Sequence, residues 1–365
     1  MKILLVGTIK RRIAEDVTAS RSTIIFQLGK KLAAKGHDVN LLGTADSLIP
    51  GVRTIGIIEK GFVDLPPFEN ADYAQLSYLV QLEKEVERIA AEFDIIHNHT
   101  YPEFINLFAT EKIKTPMVTT LHAQATPEYD EVLSLFPQAN LVSISQAHRK
   151  LFKKTNPGFI VYNGIDTNLY VPVDTKEDYM FWIGRLGKAK DEHGNFMDAK
   201  GVRWAIELAR KTGEKLVISG NIEDMDFYNS DVKPYLNDKI RWYGPLSSEQ
   251  ILKREEVITL MQKAKVFLMT INWEEPFGLV MAEAMSCGTP VIGFDRGAVS
   301  EVVLDGKTGF VVDPEKGIEG LEEALSSIDS IDPKVCREHV LNNFSIDKMV
   351  ENYEKVYNKL IHEKA

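Results

Sequence analysis

Short apolar runs alternating with helical patterns recur along the whole chain, and this rhythm restricts the fold more than any other feature of the sequence. Ile3 to Val6, Val39 to Leu42, Ile95 to Ile96, Met117 to Thr120 and Leu141 to Ile144 read as strands. Ser22 to Ala34 and Tyr73 to Ala91 read as helices between them. Continuous apolar runs suit strands buried on both faces, so the pattern predicts a parallel sheet with helices on either side. A second set follows residue 178, with strands at Met180 to Ile183, Leu216 to Ser219, Ile240 to Tyr243, Val266 to Met269, Val291 to Gly293 and Phe310 to Val312. Two Rossmann-like, doubly wound α/β domains are therefore expected, and 365 residues exceed one ordinary core.

The best boundary lies between Asp166 and Asp178, where Pro172 and several polar residues interrupt the periodicity. This gives domains at 1–168 and 169–345, followed by a last helix from about Asp347 to Ile361. That helix offers Met349, Val350, Tyr353, Val356, Tyr357 and Leu360 at helical spacing, a face that must be buried. Open α/β sheets place ligands at the carboxyl ends of their strands, so two such domains are expected to face a cleft.

A net charge of −10 argues against a nucleic-acid partner and, more weakly, against an anionic membrane. The clusters Lys10 to Arg12 and Lys30 to Lys31 read as solvated faces; association with a membrane-bound acceptor is the less favoured alternative. Met1 to Gly7 is too short an apolar run for a signal peptide and lacks a cleavage site, and no stretch reaches transmembrane length. Cys287 and Cys336 exclude a disulfide framework and suit a reducing cytoplasm, the expected location.

The chemistry concentrates between Trp273 and Pro290, where Glu275 and Glu283 flank a helix start. Pro276 suits the first helical turn, which places Glu283 about two turns inside. Eight residues separate the carboxylates by at most roughly 12 Å along the axis, with the amides of Phe277, Gly278 and Leu279 between them. A helix N-terminus with free N–H groups holds a diphosphate, Gly278 permits close approach, and each glutamate accepts from hydroxyls at opposite ends of a nucleotide-sugar. An arbitrary pair at this spacing would be a solvated acidic turn, but the flanking residues are specific.

Glu275-Pro-Phe-Gly-Leu, followed by Glu283-Ala-Met-Ser-Cys-Gly-Thr-Pro-Val, resembles the signature of retaining glycosyltransferases of family 4 with the GT-B fold. Val161-Tyr-Asn-Gly-Ile-Asp-Thr-Asn-Leu-Tyr-Val-Pro resembles that family's inter-domain motif, Ile183-Gly-Arg-Leu its phosphate-binding loop, and Gly297 to Val312 the loop and strand after its signature helix. The resemblance implies transfer of a hexosyl unit from an NDP-sugar, of the UDP-hexose or GDP-mannose type, to a hydroxyl acceptor with retention. It places Glu275 on the transferred sugar, Glu283 on the ribose, and the amides of Phe277, Gly278 and Leu279 near sugar and phosphate. It assigns Arg185 and Lys200 to the diphosphate, His122 to the sugar or reaction centre, and the last helix, 346–365, to the first domain.

Metal is not needed in this scheme, because Arg185, Lys200 and helix amides can stabilise the leaving diphosphate, and no cofactor is implied. Asp224-Met-Asp226 reads as a solvated loop, and His97-Asn-His99 lacks a third ligand. The family spaces its Arg and Lys closely, whereas Gly187 to Ala199 intervene here, so Lys188 and Lys190 compete with Lys200; the helix pattern starting at Val202 favours Lys200. Asn163 and Gly164 form a turn into the linker, with Asn163 expected near the cleft.

The loop after the first strand departs from the family in having Gly7 where a glycine pair is usual, which leaves the acceptor open. Ser20 or Ser22 is expected to cap the following helix, and Arg21 to pair with an anionic acceptor. Rival readings are a phosphorylase on the same fold, a dinucleotide dehydrogenase, and a non-catalytic two-domain sugar-binding protein. The dehydrogenase would need a Gly-x-Gly-x-x-Gly turn that the chain lacks.

Overall fold

The computed structural model describes residues 1–247, 250 and 252–364. It comprises two compact units, Met1–Gly164 with Ile346–Ala365, and Ile165–Ser345. Each is built on one parallel sheet, the doubly wound class that the strand rhythm predicts.

The first sheet contains β1 (Lys2–Val6), β2 (Asp38–Thr44), β3 (Arg53–Ile58), β4 (Ile95–Asn98), β5 (Met117–Thr120), β6 (Asn140–Ser143) and β7 (Phe159–Ile160), in the order β3-β2-β1-β4-β5-β6-β7. Apart from Lys2 at the start of β1, the central strands β1, β4 and β5 are buried throughout, as apolar runs without alternation require. The sequence pattern did not yield the two edge strands. β3 is half exposed and interrupted by Gly56, and β7 is two residues long. The strand order reverses between β1 and β4, so Gly7 and His97–Thr100 lie at the point where such sheets bind ligands.

The second sheet contains β8 (Met180–Leu186), β9 (Leu216–Ile222), β10 (Ile240–Trp242), β11 (Val266–Met269), β12 (Val291–Phe294) and β13 (Gly309–Val312), ordered β10-β9-β8-β11-β12-β13. Here the order reverses between β8 and β11. Both β8 and β9 run further than their apolar residues indicate, because Gly184 and Gly220 pack backbone against backbone; a Cβ on Gly220 would stand 1.7 Å from the Gly184 carbonyl oxygen.

The final helix, Ile346–Lys364, belongs to the first unit. Its predicted face is buried: Met349, Val350, Tyr353, Val356, Tyr357 and Leu360 are all at most 7% exposed. Tyr353 shares a hydrogen bond with Thr120 Oγ1 (2.9 Å) and Tyr357 with His97 Nδ1 (2.6 Å), tying the helix to β4 and β5. Among the described residues, no helix is long and apolar enough to cross a membrane.

Two local expectations are corrected. The helix after Glu275 starts at Leu279 and ends at Ser286, with Gly278 as its N-cap, so Glu283 lies little more than one turn inside; Pro276 precedes the helix because Gly278 adopts φ +80° and breaks the path between them. The helix Ser20–Ala34 takes Ala19 as its N-cap, with no side-chain cap from Ser20 or Ser22.

Candidate active site

In the second unit the site is assembled by two loops that leave the carboxyl ends of neighbouring elements. After β11 the chain runs through Thr270, Ile271, Asn272 and Trp273 to Glu275. The loop before the helix Val202–Thr212 is fastened to it by Asn272 N donating to Ala199 O (2.9 Å), Asn272 Nδ2 to Asp198 O (2.7 Å) and Thr270 Oγ1 to Gly201 O (2.7 Å). Gly201 must be glycine, since its φ is +75° and a Cβ would lie 1.5 Å from the Thr270 carbonyl oxygen. Asp198 accepts from the amides of Gly201 (2.8 Å), Val202 (3.0 Å) and Arg203 (2.9 Å), so that helix start is filled by its own carboxylate. Burial pushes the Asp198 carboxyl up against the opposing pull of those amides.

This stitching brings Lys200 onto Glu275, with Nζ 2.7 Å from Oε2 and 4.4 Å from the Trp273 ring. Both side chains are largely shielded, 26% and 13% exposed. The backbone of Glu275 is clasped from behind. Ala298 N donates to Glu275 O (2.9 Å), Gly297 N donates to Glu274 Oε2 (2.5 Å), and Gly297 packs against the Glu275 peptide. Lys190, the competing cation, instead stands over the Phe196 ring at 4.3 Å within a small antiparallel bridge in the Gly187 to Ala199 segment.

The helix Leu279–Ser286 differs from its neighbour at its start. The amides of Gly278, Leu279 and Val280 have no acceptor among the described residues, while Met281 N donates back to Gly278 O (3.0 Å). Phe277 is buried against Phe344 at a centroid distance of 5.6 Å and anchors the turn. On the helix, Glu283 accepts from Tyr170 Oη (2.8 Å); burial pushes its carboxyl up, and Tyr170 and the Arg254 charge pull the other way.

Arg185 stands near the end of β8, next to Gly184, whose Cβ position would be 3.0 Å from Lys200 Cβ. Its guanidinium is 61% exposed and ion-pairs with Glu223 at 3.2 Å. An open cavity of about 550 Å³ lies beyond β10, lined by Tyr243, Gly244, Pro245, Gln250, Leu252, Lys253 and Glu256.

His122 and Asn163 belong to the first unit. His122 follows β5, shares a hydrogen bond with His99 (2.8 Å), and its amide donates to Glu103 Oε1 (3.1 Å). Burial, with the nearby Arg21 charge, holds His122 well below the usual imidazole range and His99 down to about 3, so both are neutral at pH 7. Asn163 is buried, and its Oδ1 has no partner among the described residues.

Arg21 corrects the sequence reading. It donates to Glu103 Oε1 (2.5 Å) and the Thr100 carbonyl (2.7 Å) and is 16% exposed, so its charge already has a partner within the fold. That partner lies far away in sequence, where no local signal could reveal it. Sequence reasoning favoured Lys200 but gave no role to Tyr170, Asp198 or Gly297; Tyr170 and Gly297 act through long-range contacts, and Asp198 through the nearby amides of Gly201, Val202 and Arg203 and the Asn272 side chain. Among the described residues, no group of three or more His, Cys, Asp or Glu is placed to hold a metal ion.

Comparison with known proteins gives two adjoining matches. Residues 22–169 match Glycosyltransferase Family 4 and residues 172–335 match Glycosyl transferases group 1. N-acetyl-alpha-D-glucosaminyl L-malate synthase of Bacillus anthracis is 23% identical over 366 residues, covering 91% of each chain. Phosphatidyl-myo-inositol mannosyltransferase of Mycolicibacterium smegmatis is 22% identical, covering 86% of this chain and 82% of its own. Among solved structures, sucrose-phosphate synthase of Thermosynechococcus elongatus superposes with a TM-score of 0.75 at 20% identity, covering 99% of both chains. Anabaena HepE, solved in complex with UDP and glucose, gives 0.70 at 18% identity, covering 99% of this chain and 100% of its own.

Proposed function

Because this chain is a glycosyltransferase of the GT-B class, with a family 4 region followed by a group 1 region, we propose that it moves a hexosyl unit from an NDP-sugar to a hydroxyl acceptor with retention at the anomeric carbon. The observation that carries this reading is the row of amides at Gly278, Leu279 and Val280 without acceptors among the described residues, beside the Lys200–Glu275 pair. Three N–H groups at a positive helix end suit a diphosphate. Lys200 then turns from Glu275 to the phosphate, and Glu275 accepts from the sugar hydroxyls. Arg185 adds a second cation from the neighbouring strand end, and Glu283 accepts from the ribose.

In this scheme charge builds on the departing diphosphate, where Lys200, Arg185 and the amides stabilise it without requiring a divalent ion. With Glu275 orienting the sugar, attack and departure on the same face, assisted by a diphosphate oxygen, account for retention. His122, held neutral by its surroundings, is assigned to the sugar or reaction centre as a hydrogen-bonding group. Asn163 contributes a hinge contact. The free buried thiols of Cys287 and Cys336 suit a reducing cytoplasm.

Donor choice lies between UDP-hexose and GDP-mannose types, and HepE supports the former by analogy. Thermal shift with UDP, GDP, ADP and their sugars tests the proposal, since a ligand that binds the folded form raises the melting temperature. Stabilisation by one NDP-sugar, followed by NDP release with a retained anomeric configuration in the product, is expected. No shift with any of these ligands would overturn it.

A further inference from the structure

We propose that Tyr170 is a positioning residue for the donor: its hydroxyl fixes one oxygen of Glu283 and leaves the other as the acceptor for a ribose hydroxyl. This rests on the reading of Glu283 given above. Tyr170 lies in the linker, where Asp166 organises a turn by accepting from Asn168 N through Oδ1 (3.0 Å) and from Leu169 N through its carbonyl (3.0 Å). The residue is 8% exposed, and its carbonyl is gripped by Ser286 Oγ (2.7 Å) and Arg337 Nη1 (2.8 Å). Arg337 also donates to Ser286 O (2.8 Å) and Thr167 O (3.2 Å).

One end of Tyr170 is thereby fixed to Ser286 and the other reaches Glu283, three residues earlier on the same helix. Those positions stand about 4.5 Å apart along the axis, a span the tyrosine ring bridges. A ring held at both ends gives its O–H one direction, and that direction ends 2.8 Å from Glu283 Oε1. Glu283 Oε2 has no hydrogen bond among the described residues, so the carboxylate presents a single oriented oxygen. Glutamate has three rotatable bonds, and holding it in one rotamer before the ligand arrives removes an ordering cost from binding. A phenylalanine would fill the same space without this bond, which separates the hydroxyl's effect from packing.

The experiment measures binding of UDP and GDP, and of their 2′-deoxy and 3′-deoxy forms, to the wild type and to Tyr170→Phe by calorimetric titration. The wild type is expected to lose about tenfold in affinity for one of the deoxy forms, the scale of a hydrogen bond to a charged group. In Tyr170→Phe that ratio should shrink to about twofold to threefold, with donor KM raised and kcat at saturating donor unchanged. A merely structural role would lower the melting temperature and weaken ribo and deoxy forms equally. Arg337→Lys, which loosens the grip on the Tyr170 carbonyl, should move the ratio the same way by a smaller factor. If the wild type does not discriminate, the ribose role of Glu283 fails and this proposal falls with it. If the wild type discriminates and both variants do so equally, the role of Tyr170 alone is overturned.

Discussion

Replacing Gly297 by alanine should disable the enzyme by displacing Glu275, with every side chain proposed to contact substrate left unchanged. Gly297 has φ +60°, and an added Cβ would lie 2.2 Å from the carbonyl oxygen of Glu275 and 2.4 Å from its nitrogen. Ordinary contact begins at 3.4 Å, so the Glu275 backbone must move by about 1.2 Å. A misplacement of that size costs about 10²-fold in rate. The left-handed conformation adds about 1–2 kcal/mol of strain, and straining the Ala298 to Glu275 hydrogen bond about 1 kcal/mol more.

Gly306→Ala is the control, because Gly306 has φ +68° and nothing within 4 Å of its Cβ position. It pays the same backbone strain with no clash. NDP release from the donor found by thermal shift, with melting curves for both variants, separates the two effects. Gly297→Ala should lose about 100-fold in kcat/KM, and Gly306→Ala should stay within about twofold of wild type. Equal activity in the two variants would refute the argument that the Gly297 loop holds Glu275 in place.

Three further outcomes follow from the same geometry. Glu275→Gln should lower kcat by about 10²-fold or more while free NDP binds within about threefold of wild type; unaltered turnover would contradict the role given to Glu275. Glu283 has its carboxyl pushed up by burial, so its desolvation cost is absent below the ordinary carboxylate range and complete once pH exceeds the raised value. Glu283→Gln should therefore melt higher than wild type at pH 8, with the difference shrinking at acid pH, and a lower melting point at pH 8 would show that burial is not the dominant effect. His99, held down to about 3, gives the opposite sign: its contribution is full above about pH 6.5 and lost as pH falls towards 3, on the order of 5 kcal/mol at about 1.4 kcal/mol per pH unit. Denaturant midpoints that do not move between pH 7.5 and 4.5 would contradict this.

The parallel sheets were legible because their central strands are continuous apolar runs, and the buried face of the last helix because six apolar residues recur at helical spacing. What escaped the sequence depends on backbone conformation and on distant partners. Nothing near Pro276 announces that Gly278 adopts a positive φ, yet that conformation delays the helix and shifts Glu283 by most of a turn. Arg21 reads as a free cation until the helical segment Glu103–Glu111, after β4, brings Glu103 beside it. The Gly187 to Ala199 segment left three lysines in competition. Its own bridge between Lys190 and Phe196, and the ties from Asn272 and Thr270, set Lys200 against Glu275. Tyr170 looked like part of a linker because its function lies in a hydroxyl directed at a helix more than a hundred residues later.

The central claim is that a diphosphate docks on the amides that open the helix Leu279–Ser286. A crystal structure of the protein with UDP or GDP, whichever the thermal shift selects, tests it most directly. The account predicts diphosphate oxygens within roughly 3.2 Å of amide nitrogens among Gly278, Leu279 and Val280, with Lys200 turned from Glu275 towards the phosphate. A nucleotide bound elsewhere, with Lys200 still on Glu275, would contradict it.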